Sequence, residues 1–200
     1  VTNMQAMFLD CRNFNQSIDS LDLTNVTNLS QMLEEATSFN QPINLDTKNV
    51  QNFFRMLQRA TSFNQPLTLD LRSAVYVNYL LEGATSFNQE IVSELVTEDR
   101  EVTEVDENGN ETTTTVTDIV KNVMSLPIKV TEVDENGNET YSGYLGGVYG
   151  MLKDCTSFNQ SLDKFDFTNV RYMTSFLEGA TSFNQNIKDI NVDNVTDITA

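Results

Sequence analysis

A six-residue motif that recurs along the chain constrains the fold more than any other feature of the sequence. Ala-Thr-Ser-Phe-Asn-Gln occurs at residues 36–41, 60–65, 84–89 and 180–185, and variants that begin with cysteine occur at 11–16 and 155–160. The phenylalanines of these copies are spaced 25, 24, 24, 71 and 25 residues apart. A fixed period in the twenties is typical of a solenoid, in which each coil buries one face against its neighbour. The sequence therefore predicts one array of about six stacked coils.

Each repeat also carries a stripe of apolar residues before the motif. Counted from a valine-like first position, apolar side chains recur three, six, seven and ten residues on, as in Val26, Leu29, Met32, Leu33 and Ala36. This spacing fits one face of a short helix of about three turns. After the motif, apolar residues come two or three apart, which is the spacing of an extended chain. The predicted class is α/β, with a short strand plus a short helix in each coil.

The asparagine of the motif is present in all six copies: Asn15, Asn40, Asn64, Asn88, Asn159 and Asn184. One interpretation is a row of polar ligands for a metal, ice or a glycan. The other is a structural ladder, in which each side chain bonds to backbone groups of its own turn and of the next coil. We favour the ladder, because stacked coils need an identical residue beside every buried phenylalanine.

The composition argues against several functions. A net charge of −17, from 29 acidic and 12 basic residues, makes nucleic acid and anionic lipid surfaces poor partners. No apolar run approaches the length of a membrane span, so we expect no membrane insertion. The chain has no histidine, the commonest general base and a common zinc ligand. Because no nucleophile–base pair or phosphate loop is present either, we predict no enzyme and no catalytic, cofactor or metal site.

The two cysteines occupy the motif position that alanine holds elsewhere. Cys11 and Cys155 fall in the first and fifth coils, so stacking at about 4.8 Å per coil separates them by roughly 19 Å. A disulfide requires Cα atoms within about 7 Å. We therefore expect two small buried thiols and no disulfide.

The fourth repeat contains an insertion. The motif phenylalanine lies 58 residues before the next first position, Leu145, whereas the other repeats need 11 or 12. This divides the chain into coils at 1–91, an insertion at 92–144 and further coils at 145–200. Within the insertion, residues 103–112 and 131–140 are identical, and each includes an Asn-Gly pair, at 108–109 and 136–137. Asn-Gly favours two-residue hairpin turns, so we predict an inserted β-hairpin subdomain, with strands at 101–107 and 110–116, and at 128–135 and 138–144.

The insertion carries 13 acidic and 3 basic residues, a net −10 of the chain's −17. Loops on a rigid scaffold commonly carry binding, and the candidate contact region comprises Glu104, Asp106, Glu107, Asn108, Glu132, Asp134, Glu135 and Asn136. Equally, the charge could keep exposed strands from stray pairing. Asp106, Asn108 and Asn110 invite a calcium interpretation, but an EF-hand loop needs glycine at its sixth position and Gly109 comes fourth. A hairpin explains these residues more simply.

The repeat unit resembles a known family. The likeness rests on Val-Thr-Asn-Met at residues 1–4, Met7-Phe8, Thr-Ser-Phe-Asn-Gln at 37–41 and Asp-Phe-Thr-Asn-Val at 166–170. These segments resemble the BspA-like surface proteins, a leucine-rich-repeat-like group that includes the short repeat of mycoplasma-type lipoproteins. The likeness covers residues 1–91 and 145–200, and it departs from the family where a tryptophan is replaced by Leu21, Leu45, Leu69, Phe165 and Ile190. It implies a leucine-rich-repeat-like solenoid at an extracellular, cell or virion surface, with no catalytic residues.

Two functions follow as hypotheses. The first is a non-enzymatic, surface-exposed repeat scaffold that mediates protein–protein interaction or adhesion. The alternative is a structural component of a larger assembly, such as a virion fibre, a decoration protein or a filament. Neither terminal repeat has the polar cap that solenoids need, so we expect that coils continue beyond the ends or that neighbours cover them. The expected partner is a protein, through self-association or a host or assembly partner, and a glycan is a further candidate.

Overall fold

The structure is a computed structural model that describes the coils and parts of the insertion. The described residues are 1–71, 73–92, 94–105, 111–125, 132–133, 139–140, 147–163, 165–168 and 170–199. Coils 1 to 6 begin at Val1, Val26, Val50, Ala74, Leu145 and Val170, of which Leu145 lies outside the described residues. Seven strands occur in the described part: β1 Leu67–Thr68, β2 Ile91–Val92, β3 Glu94–Val105, β4 Glu111–Ser125, β5 Glu132–Val133, β6 Glu139–Thr140 and β7 Phe165–Asp166.

Short parallel pairings connect successive coils. After the motif, Ile43 bridges to Leu67, and β1 pairs with β2 in the next coil. A second line of bridges runs through the third residue of the coils, joining Asn3, Asn28, Asn52 and Tyr76 in order, and then Gly147, Tyr172 and Asp197. Pairing of residues 24 or 25 positions apart places each coil directly against its neighbour. Residues 195–199 add the start of a further turn, because Met173 N donates to Asp197 O and Ser175 N to Thr199 O.

The short helix predicted for each coil is wrong, since no helix occurs among the described residues. In coil 2, every second backbone N–H bonds three residues back, closing β-turns: Met32 to Leu29, Glu34 to Gln31 and Ala36 to Leu33, at 3.1–3.2 Å. The intervening N–H groups donate instead to the next coil: Leu29 to Asn52, Gln31 to Phe54, Leu33 to Met56 and Glu35 to Gln58, at 2.8–2.9 Å. The bonds between coils use donors that a helix would direct four residues back along the chain.

Two residues of every coil adopt left-handed backbone conformations. They lie five and nine residues after the first position, as Ala6 and Asp10 do in coil 1, with φ of 56° at both. Glycine holds only three of these positions, at Gly83, Gly150 and Gly179. A left-handed conformation costs roughly 1–2 kcal/mol for other residues. The hydrogen bonds between coils must offset this cost at each turn.

The core is a continuous column of apolar side chains inside the coils. The motif phenylalanines of neighbouring coils stack at centroid distances of 5.9–6.1 Å with ring planes within 1–11° of each other. Phe39, Phe63 and Phe87 are fully buried, as are Ala36, Ala60 and Ala84. Cys155 is buried in the alanine slot, but the expectation of burial is wrong for Cys11, which is exposed. Cys11 lies in coil 1, where no described coil covers it on the other side.

The stack continues directly from coil 4 to coil 5 across the insertion. Backbone N–H groups of coil 4 donate to carbonyls of coil 5, from Tyr79 to Tyr149 and from Gly83 to Lys153, both at 2.8 Å. The ring of Phe87 stacks on that of Phe158 at 6.0 Å. The insertion therefore leaves the coil path without separating the coils that flank it.

The chain leaves coil 4 after Val92, returns to the stack at Met124 and Ser125, and then leaves it again. Val92 still pairs with Thr68, and β3 and β4 then form an antiparallel hairpin with a register shift between Val96 and Thr97. The end of β4 runs parallel to β7, with Met124 opposite Phe165. This differs from the single interruption expected over residues 92–144, because Met124 and Ser125 lie against coil 5 between the two hairpins.

Candidate functional site

The six motif asparagines form one hydrogen-bonded row. The Oδ1 of each of the first five accepts the backbone N–H of the next asparagine at 2.8–2.9 Å, so that the row ends at Asn184. The same oxygen accepts a second bond from the Nε2 of the next motif glutamine, at 3.0–3.2 Å. Both lone pairs of these five amide oxygens are thus used within the stack. An oxygen bonded in this way is poorly placed to hold an external ligand.

The threonine and serine of the motif are likewise bonded to the preceding coil. In coil 3, the carbonyl of Thr37 accepts the backbone N–H of Ser62 at 3.2 Å and the Oγ1 of Thr61 at 3.4 Å. The same pair of bonds recurs at Thr61, Thr85 and Thr156. The motif is therefore occupied by coil-to-coil bonding along its length.

Most of the predicted contact region lies outside the described residues, including Asp106, Glu107, Asn108, Asp134, Glu135 and Asn136. The two that are described occupy equivalent places in the duplicated segments. Glu104 pairs with Thr112 across β3 and β4, and Glu132 pairs with Thr140 across β5 and β6. The identical sequences therefore have the identical strand register.

That register differs from the one expected for a two-residue turn. Turns at 108–109 and 136–137 would place Val105 opposite Thr112 in continuous pairing, but Val105 pairs with Glu111. Val133 pairs with Glu139 in the same way. Five residues separate the last pair of each hairpin, an odd number that a two-residue turn does not produce.

A groove on the turn face, centred on coils 3 to 5 and reaching Glu34 of coil 2 and Ser175 of coil 6, was not found by sequence reasoning. We call it the tyrosine groove. It consists of two adjacent clefts of about 380 Å³ each, which share Arg55 and Tyr79. The first cleft is otherwise lined by Asn52, Phe54, Tyr76 and Asn78. The second runs past Gln58, Glu82, Tyr149 and Lys153.

Two tyrosine rings of the groove lie on glycines of coil 5. A Cβ placed on Gly150 would come within 2.7 Å of the Tyr79 ring, and one on Gly147 within 2.5 Å of the Tyr149 ring. Both distances are shorter than any ordinary carbon–carbon contact, so only glycine leaves room for the rings there. The Tyr149 ring also stacks on Tyr172 at 5.9 Å. Gly150 therefore positions the Tyr79 ring, and Gly147 and Tyr172 together position the Tyr149 ring.

Arg55 lies between aromatic rings. Its guanidinium carbon lies 4.8 Å from the centroid of Phe54 and 5.7 Å from that of Tyr79. A cation over an aromatic face is attracted by the ring quadrupole. Its Nε is buried and has no hydrogen-bond partner among the described residues. The other two basic side chains of the groove have carboxylate partners, since Arg59 bonds Glu35 at 3.1 Å and Lys153 bonds Glu178 at 2.9 Å. The bond to Glu178 raises the pKa of Lys153.

A departure from the repeat marks the tyrosine groove in the sequence. At the third residue of a coil, Asn3, Asn28 and Asn52 each accept the backbone N–H two residues on, at 2.9 Å. Coils 4 to 6 have Tyr76, Gly147 and Tyr172 at this position. None of these side chains can accept that bond as asparagine does.

No cluster of three or more acidic, cysteine or histidine side chains that could hold a metal occurs among the described residues. The Cys155 thiol bonds the carbonyl of Leu81 at 3.0 Å, and burial raises its pKa to about 12. In the same part of the chain, no helix has the length and apolarity to cross a membrane.

Comparison with known proteins gives one match. Residues 1–122 and 144–200 match the model of a family described as Mycoplasma protein of unknown function, DUF285. No curated protein matches the chain. No solved structure matches it either.

Proposed function

Because the chain belongs to the family described as Mycoplasma protein of unknown function, DUF285, we propose that it is a surface repeat protein of the BspA-like kind. In this proposal the stacked coils are a leucine-rich-repeat-like solenoid with β-turns in place of helices. Its function is that of a non-enzymatic scaffold, exposed at a cell or virion surface, which mediates protein–protein interaction or adhesion. The contact region is the acidic insertion.

The observation that carries the proposal is the unbroken stack across the insertion. Tyr79 bonds Tyr149 and Gly83 bonds Lys153 at 2.8 Å, although about 50 residues intervene between coils 4 and 5. A rigid frame that carries a long insertion without deforming is suited to presenting that insertion to a partner. The charge of −10 in residues 92–144 would steer basic partners toward it.

A second candidate is a structural component of a larger assembly. It is supported by apolar side chains that are exposed on the outermost described coils. Val1 and Met7 of coil 1 are 84% and 49% exposed, and Ile187 and Ile198 near the other end are 59% and 65% exposed. Exposed apolar surface of this kind commonly marks a contact with another molecule.

One matched variant tests both candidates. Ile91 is the counterpart of Leu67, and Leu145 is the counterpart of Ala74. Residues 92–144 can therefore be replaced by a copy of residues 68–73, which gives coil 4 the length of coil 3. The mass of the intact and of the replaced chain is measured by light scattering over a range of concentrations.

Each outcome discriminates between the candidates. Association of the intact chain alone would support contact through the insertion. Association of both chains would favour the exposed coil faces, and with them the assembly component. Two monomers would remove self-association from both proposals. Binding of the intact chain to a basic probe protein, lysozyme for example, would then test whether the insertion selects basic partners, with the replaced chain as the control.

A further inference from the structure

We propose that the tyrosine groove is a binding site for a neutral carbohydrate chain. The site is separate from the insertion, and it does not depend on the proposed function of that segment. The sugar would pack against the exposed parts of the Tyr79 and Tyr149 rings and bond through its hydroxyl groups to the polar side chains around them.

The placement of the rings is the first argument. A pyranose ring presents C–H groups on its faces and hydroxyl groups around its edge, so it packs against the part of an aromatic ring that a cleft leaves exposed. Tyr79 lies against Gly150 and Tyr149 against Gly147, and both tyrosines remain partly exposed. Aromatic residues with a fixed ring and a polar tip are common where a ligand is partly apolar and partly hydrated.

The departure from the repeat at the third position of coils 4 to 6 is the second argument. Coils 1 to 3 bond the backbone through an asparagine at the third position, whereas coils 4 to 6 have Tyr76, Gly147 and Tyr172 there. In coil 5 the corresponding backbone N–H, that of Tyr149, bonds the Oδ1 of Asn78 in coil 4 instead. The substitutions lie on one face of adjacent coils and contribute little to the core. Their clustering is explained if the rings, and the glycine beneath one of them, form a site.

The polar lining is the third argument. Three of its side chains, Glu34, Gln58 and Asn78, are more than nine-tenths buried. Two of them are held by neighbours, since Gln31 donates to Glu34 at 2.8 Å and Gln58 donates to Glu82. Fixed amides and carboxylates offer donors and acceptors in set directions, as hydroxyl recognition requires. The unpartnered Nε of Arg55 adds a buried donor.

The charges favour an uncharged sugar over an anionic one. Arg59 and Lys153 are already paired with Glu35 and Glu178, and Glu34 and Glu82 line the same cleft. A net charge of −17 would also repel anionic polymers. The second cleft is lined mainly by polar side chains, unlike the apolar centre typical of a stable protein interface, so carbohydrate is favoured over protein.

The test uses the full chain and a panel of neutral oligosaccharides with cello-, malto-, manno- and chito-type linkages. Binding is measured by calorimetry and by saturation-transfer NMR. Tyr79→Ala removes one ring, and Ala6 shows that alanine fits this repeat position at φ 56°. Tyr149→Ser removes the other ring, and Ser30 holds the equivalent position in coil 2. Gln5→Ala changes that same position in coil 1, away from the groove, and is the matched control.

We expect at least one of these sugars to bind, with affinity reduced about tenfold or more by either tyrosine substitution and unchanged by Gln5→Ala. Gly150→Ala should weaken binding too, because its methyl group displaces the Tyr79 ring. The chain that lacks residues 92–144 should bind as well as the intact one, which separates this site from the insertion. The proposal is overturned if no sugar of the panel binds, or if the tyrosine variants bind as the control does. Loss of a protein contact in the Tyr79→Ala chain without any sugar binding would reassign the groove to protein recognition.

Discussion

At the residue scale, one repeat position has different chemistry at its two cysteines. Cys155 fills the buried alanine slot of coil 5 and bonds the carbonyl of Leu81, whereas Cys11 is exposed in coil 1. The thiolate is the reactive form of cysteine, and burial disfavours it. The same motif position therefore yields one accessible thiol and one inert thiol.

This difference predicts the labelling of the folded protein. Because the pKa of Cys155 is raised to about 12, a thiol reagent at neutral pH should modify Cys11 quickly and leave Cys155 unmodified. Mass spectrometry after brief exposure should show a single adduct, and a second should appear in denaturant. The Cys11→Ser variant serves as the control and should take up no label while folded. Rapid labelling of Cys155 in the native protein would contradict its burial.

A second prediction concerns Asp19, whose carboxylate accepts the backbone N–H and the side-chain amide of Asn44 at 3.1 Å each. These bonds, the backbone bond first, lower the pKa of Asp19. A group whose pKa is lower in the folded state stabilises the fold at neutral pH, and this contribution is lost as the pH falls through that lowered value. Asn44→Ala removes the weaker of the two bonds, so the pKa of Asp19 should rise toward its usual value.

Carboxyl carbon chemical shifts recorded during an acid titration would measure this change. Asp22 provides an internal control, because its pKa is lowered by Thr24 and not by Asn44. A variant in which the Asp19 and Asp22 titrations both stay as in the parent chain would show that the Asn44 side chain has no influence on Asp19.

At the scale of the coil, the period of the motif specifies which residues are neighbours. Identical side chains that bond one another must recur with the coil length, and the asparagine and glutamine bonds connect residues 24 to 26 positions apart wherever no insertion intervenes. The partners in this row could therefore be identified from the sequence. The Asx bonds at the third position could not, because asparagine is common in many kinds of turn.

The conformation of the stripe before the motif could not be predicted in this way. Apolar residues three and four apart fit a helix, but they fit a run of overlapping β-turns, each closed by a bond three residues back, equally well. Whether the segment forms a helix or β-turns depends on which acceptors the intervening backbone N–H groups find. The carbonyls of Asn52, Phe54 and Met56 supply them for coil 2. Such a partner in the next coil does not appear in any local pattern, so periodicity alone favoured the wrong element.

The tyrosine groove could not be predicted from the sequence for a related reason. Its residues come from coils 2 to 6 and are far apart in sequence, so they form no local motif. The signal was present as the loss of asparagine at the third position of coils 4 to 6. Recognising that loss requires the role of the asparagine, which the backbone bonds at Ser30 and Phe54 reveal.

The asparagine row gives a prediction at this scale. Asn64 accepts the backbone N–H of Asn88 at 2.9 Å and the Nε2 of Gln89 at 3.2 Å. Asn64→Ala leaves both donors without this acceptor, which should lower the free energy of unfolding by about 1–3 kcal/mol. Asn184→Ala at the far end of the row is the matched control. Asn184 is exposed, and its loss should stay within about 0.5 kcal/mol. Equal losses in denaturant melts would mean that the row contributes no coil-to-coil stability.

At the scale of the whole molecule, each coil contacts the coils immediately before and after it. The stability of such an array is roughly a sum of coil terms and interface terms. The Phe87–Phe158 stack and the Tyr79–Tyr149 bond repeat contacts of the other junctions at the junction of coils 4 and 5, although among the described residues the third-position bridge does not continue from Tyr76 to Gly147. The insertion should therefore matter little to the stability of the coils.

Replacement of residues 92–144 by a copy of residues 68–73 tests this directly. We expect the midpoint of thermal unfolding to remain within a few degrees of the intact chain's, because the bonds between coils 4 and 5 do not involve the insertion. A second chain in which residues 68–73 are deleted without replacement is the control, since it shortens coil 3 and should unfold at a lower temperature. A large loss of stability in the first chain would show that β4 and its pairing with β7 support the array.

Because coils 4 and 5 bond each other directly, the insertion is separate from the contacts that stabilise the stack of coils. The segment between Val92 and Gly147 leaves coils 4 and 5 bonded directly to each other, so we expect this corner of coil 4 to accept other insertions. Foreign segments, such as an epitope, a reporter loop or a second binding module, could be grafted there and displayed at a fixed position along the stack of coils. The equivalent corners of coils 2 and 3 have the same kind of coil-to-coil bonds on either side and offer further insertion sites, at intervals set by the coil spacing.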